Sequence, residues 1–330
     1  MRYINHIVFS IIFLLIGLGG YSQQHPLADM YMLDHTYINP AYTGTTIRIP
    51  VTVLTRQQWA QIAQGPSTQA VSIHKRIRKG SIKFNNRGFI NRGHNSAGNV
   101  GLGGYIFNDK SGAMSRTGIQ LNYAYHIPLE NAKLALGLGG SIFHYSILTS
   151  GLRLPDPNVV DPAIESARET TWIPDAHAGA FFYNEYFFLG LSVNQLFESS
   201  ILLGNKDAFN YETGDYDVNR VRQYYIEGGY KFDLNNYWQM EPSLLLKTTD
   251  KGNRRLDVNM KVIYDQKYWL GFSYRTQKAF FAMLGIKFEN LLIAYCYEQE
   301  LSDIRSYNFN SHQIMVGLRI GERLSGQHWR

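Results

Sequence analysis

The ten histidines of this 330-residue chain are scattered singly, and no two stand at metal-ligand spacing. No HExxH, GxSxG or Walker-type run occurs, so zinc hydrolysis, serine acyl transfer and phosphate-loop chemistry all lack their residues. Asp156, Asp161, Glu165 and Glu169 crowd into one stretch with Pro155, Pro157 and Pro162. Their spacing matches no EF-hand loop, and the stretch reads as a solvated loop rather than a calcium site. Gly101-Leu102-Gly103-Gly104 and Gly137-Leu138-Gly139-Gly140 share the composition of phosphate loops. Both lie inside alternating runs, not between a strand and a helix, so they read as small inward residues that permit close packing. The expectation is a non-enzymatic protein with no metal and no cofactor.

The elements that carry these residues are strands. Alternation with a period of two dominates after residue 97. In Arg255–Tyr264 the residues Leu256, Val258, Met260, Val262 and Tyr264 share one face, while Arg255, Asp257, Asn259 and Lys261 share the other. A helix would scatter both sets around its circumference, whereas a strand separates them. The same pattern marks 50–58, 67–75, 98–108, 116–127, 132–145, 176–183, 187–194, 222–233, 237–248, 267–275, 279–288, 291–298 and 311–320, giving about fourteen strands in all. Aromatic content of 14% and 30 glycines fit an all-β chain, and with a net charge of only +6 they argue against disorder.

An apolar face opposite a polar one fits a soluble sandwich or a transmembrane barrel. Loop lengths favour the barrel. If both termini lie on one side, the connections there include Pro128–Asn131, Asn184–Tyr186, Leu234–Asn236, Asp265–Gln266 and Glu289–Asn290, all short. On the other side Ser146–Asp175, Gln195–Val221 and Gln299–Asn310 are long. Short periplasmic turns and longer extracellular loops belong to outer-membrane barrels. Tyr186, Phe187, Tyr237, Trp238, Tyr268 and Trp269 cluster near strand ends as an interfacial girdle would. No run of ~18 apolar residues exists, which excludes a spanning helix.

The N-terminus reads as an export signal, with Arg2, the apolar core Ile7–Leu18 and small residues before a cut after Ser22. The expected organisation is a signal peptide over 1–22, an N-terminal segment over 23–49 serving as plug or periplasmic extension, a transmembrane antiparallel β-barrel over 50–320 and a tail over 321–330. The single cysteine, Cys296, forms no intramolecular disulfide.

Charge falls into two groups. Lys75 and the Arg76–Ala97 stretch bring together Arg76, Arg78, Lys79, Lys83, Arg87 and Arg92 without one acid. This is either a solvated turn or a docking patch for an anionic periplasmic partner. An exported chain gives no nucleic-acid reading to that charge. The inward faces hold both signs, at Glu227, Lys231, Glu241, Lys247, Arg255, Asp257, Lys261, Arg275, Lys287, Glu298 and Arg319. Ions persist there when paired or hydrated, so a packed network around the N-terminal segment is expected rather than a wide pore.

Tyr37-Ile38-Asn39-Pro40-Ala41-Tyr42-Thr43-Gly44, then Arg56-Gln57-Gln58-Trp59 and Gly65-Pro66-Ser67-Thr68-Gln69, resemble the opening of the PorP/SprF family of Bacteroidota. Asn108–Gly112, Glu241–Lys247, Leu270–Arg275 and Ser311-His312-Gln313-Ile314-Met315 continue the resemblance in order. Three departures stand out: Gln313 where the family carries an acid, a long basic stretch after Arg76, and a tail running on to Trp329-Arg330. The resemblance implies an outer-membrane component of type IX secretion and gliding motility. Its implied partners are large adhesins with C-terminal sorting domains and periplasmic ring or peptidoglycan-associated components. Asn39, Pro40, Tyr42, Gly44, Arg56, Gln58, Trp59 and His312 become candidate motif or docking positions, each with a structural reading beside it. The alternative from another class is a solute channel with a mixed-charge lumen.

Overall fold

The computed structural model describes residues 31–46, 48–61, 65–77, 99–112, 114–147, 171–197, 200–202, 217–219, 221–276, 279–301 and 310–321. In chain order the strands are β1 (Ile49–Gln57), β2 (Ser67–Ile77), β3 (Val100–Ser111), β4 (Met114–Pro128), β5 (Lys133–Ile147), β6 (Thr171–Tyr183) and β7 (Phe187–Asn194). A separate small hairpin of β8 (Ser200–Leu202) and β9 (Asp217–Asn219) follows. Then come β10 (Gln223–Tyr230), β11 (Phe232–Asp233), β12 (Trp238–Thr249), β13 (Arg254–Tyr264), β14 (Tyr268–Arg275), β15 (Ala279–Phe288), β16 (Leu291–Glu300) and β17 (Asn310–Ile320).

Each barrel strand pairs antiparallel with its neighbours, and β17 closes onto β1 from Ile49↔Ile320 to Gln57↔His312. Lys231 interrupts one strand into β10 and β11 without changing its register on β12, since Gly229 faces Ser243 and Phe232 faces Met240. Counted once, that strand makes fourteen, and every run read from alternation becomes a barrel strand. Closure removes all edges, the condition for crossing a membrane with sheet.

The pleat explains the inverted apolar pattern. Leu121, Leu138, Leu270 and Leu284 point outward and are at least half exposed, while their strand neighbours Gln120, Asn122, Trp269 and Met283 are buried inside. At the side where β1 begins and β17 ends, Tyr186, Tyr237, Trp238, Tyr264 and Tyr268 ring the outer surface. Trp269 departs from the girdle expected of it. It lies between outward Tyr268 and Leu270, so parity turns it inward, where its ring covers Gly285. Terminus-side turns are tight; β13 passes to β14 through Asp265 and Gln266, both at positive φ (48° and 52°) as a twisted hairpin requires.

Candidate functional site

The chain stretch over 31–46 runs inside the barrel. Tyr31, Met32, Tyr37 and Ile38 from this stretch join inward Leu54, Tyr105, Phe107, Phe143, Tyr225, Leu245, Trp269, Phe281, Met283 and Met315 in one buried core. Two 3-10 turns shape it, a local structure that the alternation of the strands gave no reason to expect. His35–Tyr37 is capped by Asp34, whose Oδ1 accepts from the Thr36 N–H at 3.0 Å. Pro40–Tyr42 is capped by Asn39, whose Oδ1 accepts from the Ala41 N–H at 3.0 Å. Proline suits the first position of such a turn because it has no N–H to satisfy, and it holds Asn39 extended at φ −136°, ψ 110°.

The wall receives this segment on small residues. Gly101, Ala124, Gly137, Gly179 and Ser192 stand in one cross-strand row over β3 to β7. A Cβ at Gly101 would lie 2.1 Å from the Thr43 carbonyl oxygen, at Gly137 2.3 Å from the Ala41 nitrogen, and at Gly179 2.2 Å from Asn39 Oδ1. Ser192 Oγ ends the row by donating to the Ile38 carbonyl at 2.7 Å. Gly44, at φ 78°, closes the motif: its N–H donates to His74 Nδ1 at 3.1 Å and its Cα rests against Gly101. Of the two glycine runs, Gly101, Gly103, Gly137 and Gly139 occupy inward positions, whereas the parity of the pleat places Gly104 and Gly140 on the outer face.

Polar contacts fix the segment laterally. Asp34 Oδ2 accepts from Ser72 Oγ at 2.5 Å and Thr52 Oγ1 at 3.0 Å. His35 Nδ1 lies 2.5 Å from Glu227 Oε2, and Asn39 Nδ2 donates to Glu227 Oε1 at 3.3 Å and to the Ala180 carbonyl at 3.2 Å. Thr43 O meets His126 Nε2 at 2.9 Å, and Asn259 Nδ2 donates to the Tyr31 hydroxyl at 2.6 Å. Asn39→Ala removes a cap together with the Nδ2 donations to the Ala180 carbonyl, the Leu191 carbonyl and Glu227 on the adjacent wall. The expected loss is about 1–2 kcal/mol, read as a lower midpoint in urea titration of the reconstituted barrel.

Elsewhere in the lumen the charged residues split by depth. Near the mouth opposite the termini, Asp257 accepts from Arg255 (Nε 3.1 Å, Nη2 3.0 Å) and from Arg275 (Nε 3.2 Å, Nη2 3.4 Å). Glu298 receives Arg275 Nη1 at 3.5 Å and Arg56 Nη2 at 2.8 Å. The Arg275 guanidinium also lies 4.4 Å from the centre of the Phe281 ring, a cation–π contact. The charges alternate in sign, so each buried ion has its counter-ion. Near the terminus-side mouth Lys261 Nζ donates to Glu241 Oε1 at 2.9 Å, and Arg319 lies beside Tyr42. The structure therefore joins Arg255, Asp257 and Arg275 directly, pairs Glu241 with Lys261, and gives Glu227 to the internal segment.

The remaining motif positions divide likewise. Asn39, Pro40 and Gly44 are buried inside, and Arg56 and Gln58 are buried at the far mouth. Gln313, where the family's acid would stand, sits directly across from Arg56, whose charge Glu298 meets instead. Trp59 adopts φ 50° just beyond β1, and its N–H donates to Ser311 Oγ at 3.4 Å. His312 is on the outer face, with Nδ1 2.7 Å from the Tyr295 hydroxyl and Tyr297 beside it. Arg76 needs correction. It was grouped with the basic connection, but β2 runs through it to Ile77 and its inward parity buries it, with Nη2 donating to the Tyr183 hydroxyl at 2.9 Å. Arg78, Lys79, Lys83, Arg87 and Arg92 lie outside the described residues, as do the stretch read as an export signal, the acidic stretch over 155–169 and the residues beyond 321. Sequence reasoning did not single out Asp34, His35, His74, His126 or Gly179. Only the nearby Asn39–Gly44 motif marked their neighbourhood.

Among the described residues no group of three or more His, Cys, Asp or Glu could hold a metal ion. A search of functionally curated proteins returns no match. Solved structures similar to the chain include Omp33 of Acinetobacter baumannii (6% identity, 84% of this chain and 100% of that one, TM-score 0.45). A FadL homologue of Pseudomonas aeruginosa shares 10% identity over 85% of this chain and 91% of that one, with a TM-score of 0.39. BamA of Haemophilus ducreyi lacking POTRA domains 1–3 shares 11% over 82% and 70%, with a TM-score of 0.42. The family model described as "Type IX secretion system membrane protein PorP/SprF" matches residues 20–318. With the closed fourteen-strand barrel and its lipid-type outer face, that match makes the chain an outer-membrane member of the PorP/SprF family of type IX secretion.

Proposed function

We propose that this barrel is a non-enzymatic adaptor of type IX secretion and gliding motility. In this reading it supports export or surface attachment of large adhesins that carry C-terminal sorting domains. Its terminus side faces the periplasm, as the short turns there favour, and offers contacts to ring or peptidoglycan-associated components. In this reading the basic residues Arg78, Lys79, Lys83, Arg87 and Arg92, which follow β2 in the sequence, supply steering toward an anionic partner.

One observation carries the choice of adaptor over solute channel. The middle of the lumen is occupied by Tyr31–Gly44 packed on Tyr105, Tyr225, Phe281 and Met315, where a channel would hold water. Two measurements follow. A deletion strain compared with its parent by surface and secreted proteomics is expected to lose one or a few large sorting-domain adhesins while other exports persist. Loss of the whole set would instead mark a core component of the machine, and an unchanged profile would defeat the adaptor reading. In planar bilayers the purified full chain is expected to show no steady conductance; a large, stable one would favour the channel.

A further inference from the structure

The outer wall is apolar along most of its height, and Lys75 breaks that pattern. On β2 it lies between buried His74 and buried Arg76, so parity turns it outward, where it is exposed. Ile73 and Ile77 flank it on the same face, both exposed. Across the wall its row continues through Leu102 on β3, Tyr123 on β4 and Leu138 on β5. The next row toward the terminus side is Ile77, Val100, Tyr125 and Leu136, so apolar surface extends past the lysine in that direction. Among the described residues, Lys110 and Arg254 are the other charged side chains at outward positions of barrel strands. Both stand at far-mouth strand ends, outside the apolar rows. None of the described acids occupies an outward strand position, and Lys75 forms no ion pair with a described residue.

We propose that Lys75 anchors a binding site for the phosphate of an anionic phospholipid in the terminus-side leaflet. A lipid-facing charge is costly at the bilayer midplane, and the cost falls toward the interface. A lysine set just inside the apolar band meets that condition by laying its stem along Ile77 and Val100 and turning its ammonium toward the headgroups. Tyr123 and Tyr125, 46% and 43% exposed, stand two strands away, about 10 Å across the wall. Their phenols flank the headgroup opposite the lysine, while Leu102 and Val100 form the floor between. The ammonium brings three donors and each phenol one, a set that suits phosphate oxygens, which only accept. Charge complementarity selects an anionic lipid over a zwitterionic one, because the outer wall supplies no counter-ion of its own at this position.

The test uses the purified full chain in neutral detergent, with phosphatidylglycerol or phosphatidylcholine titrated in and bound lipid counted by native mass spectrometry. One basic side chain near a membrane surface gives about a fivefold preference for anionic lipid, and that preference is expected of the parent. K75Q is expected to lose it and K75R to keep it. Replacing Arg78, Lys79, Lys83, Arg87 and Arg92 with Gln is expected to leave it in place. A parent without the preference, or a K75Q variant that retains it, overturns the proposal. So does loss in the five-residue variant alone, which would credit the basic residues that follow β2. Displacement of the lipid by inorganic phosphate would mark a free-anion site, and displacement by an octa-glutamate peptide would give this face to a protein partner; either overturns it. Photo-crosslinking of a headgroup-labelled phosphatidylglycerol to the parent locates the contact without any variant. Attachment within residues 73–77, 100–102 or 123–125 supports the site, and attachment elsewhere or none overturns it.

Discussion

Gly137→Val is expected to drive the Asn39–Gly44 turn off its seat and open the lumen. A Cβ at this position lies 2.3 Å from the Ala41 nitrogen, 2.4 Å from its Cα and 2.6 Å from the Pro40 carbonyl carbon. All three are backbone atoms, so no side-chain rotation relieves the clash, and the two β-branch methyls add to it. Overpacking of this kind costs about 1–3 kcal/mol where the surroundings give way. Here the strand is held in register on both sides, opposite Ala124 and Gly179, so the internal segment is what yields. The barrel itself has no reason to fail, because valine suits a strand better than glycine does. Expected results are protease or thiol-label access at residues near 41 and discrete conductance steps where the parent is silent. Gly140→Val is the control: it faces outward and its Cβ meets nothing within 4 Å. Equal behaviour of the two variants would show that the glycine row does not seat the segment.

The barrel was legible because its signal is covalent in origin. Successive side chains alternate across a strand, so rows such as Leu256–Tyr264 and Arg255–Lys261 could only be two faces of a sheet. Short connections such as 265–266 and 289–290 then placed the termini on the side of the tight turns. The inward charged set was legible for the same reason, as Asp257, Arg275 and Glu298 follow from parity alone. What parity cannot give is depth and partner. Arg255 and Lys261 share a face, yet one joins a buried network and the other pairs with Glu241 near the opposite mouth. Which carboxylate each cation meets depends on strand stagger, a property of pairing between strands far apart in sequence. The seat of the internal segment was hidden for a further reason. Gly101, Gly137 and Gly179 read as small residues in strands, and their common purpose appears only when register lines them up. Arg76 was misplaced because a run of basic residues outweighed the alternation that carries β2 to Ile77.

Asp257→Asn is expected to be among the most destabilising single substitutions in the barrel. Both arginine forks converge on this carboxylate, with Arg255 and Arg275 each placing two nitrogens within 3.4 Å of it. Asp257 and Arg275 are each 1% exposed, so water cannot replace the lost charge without disturbing the packing. Breaking a buried pair by removing one partner leaves an uncompensated ion and costs about 3–5 kcal/mol. Glu298 supplies only a 3.5 Å contact to Arg275 and already serves Arg56 at 2.8 Å, so it offsets little of that loss. The asparagine keeps the shape, which isolates charge from volume. By contrast, Glu241→Gln breaks a pair whose side chains retain 14% and 22% exposure beside the mouth, and about 1 kcal/mol or less is expected. Urea unfolding of both variants, followed by the heat-dependent gel mobility typical of folded barrels, separates these values. A loss at Asp257 no larger than that at Glu241 would mean that water reaches the arginines, and hence that the lumen near the far mouth is wetter than its packing implies.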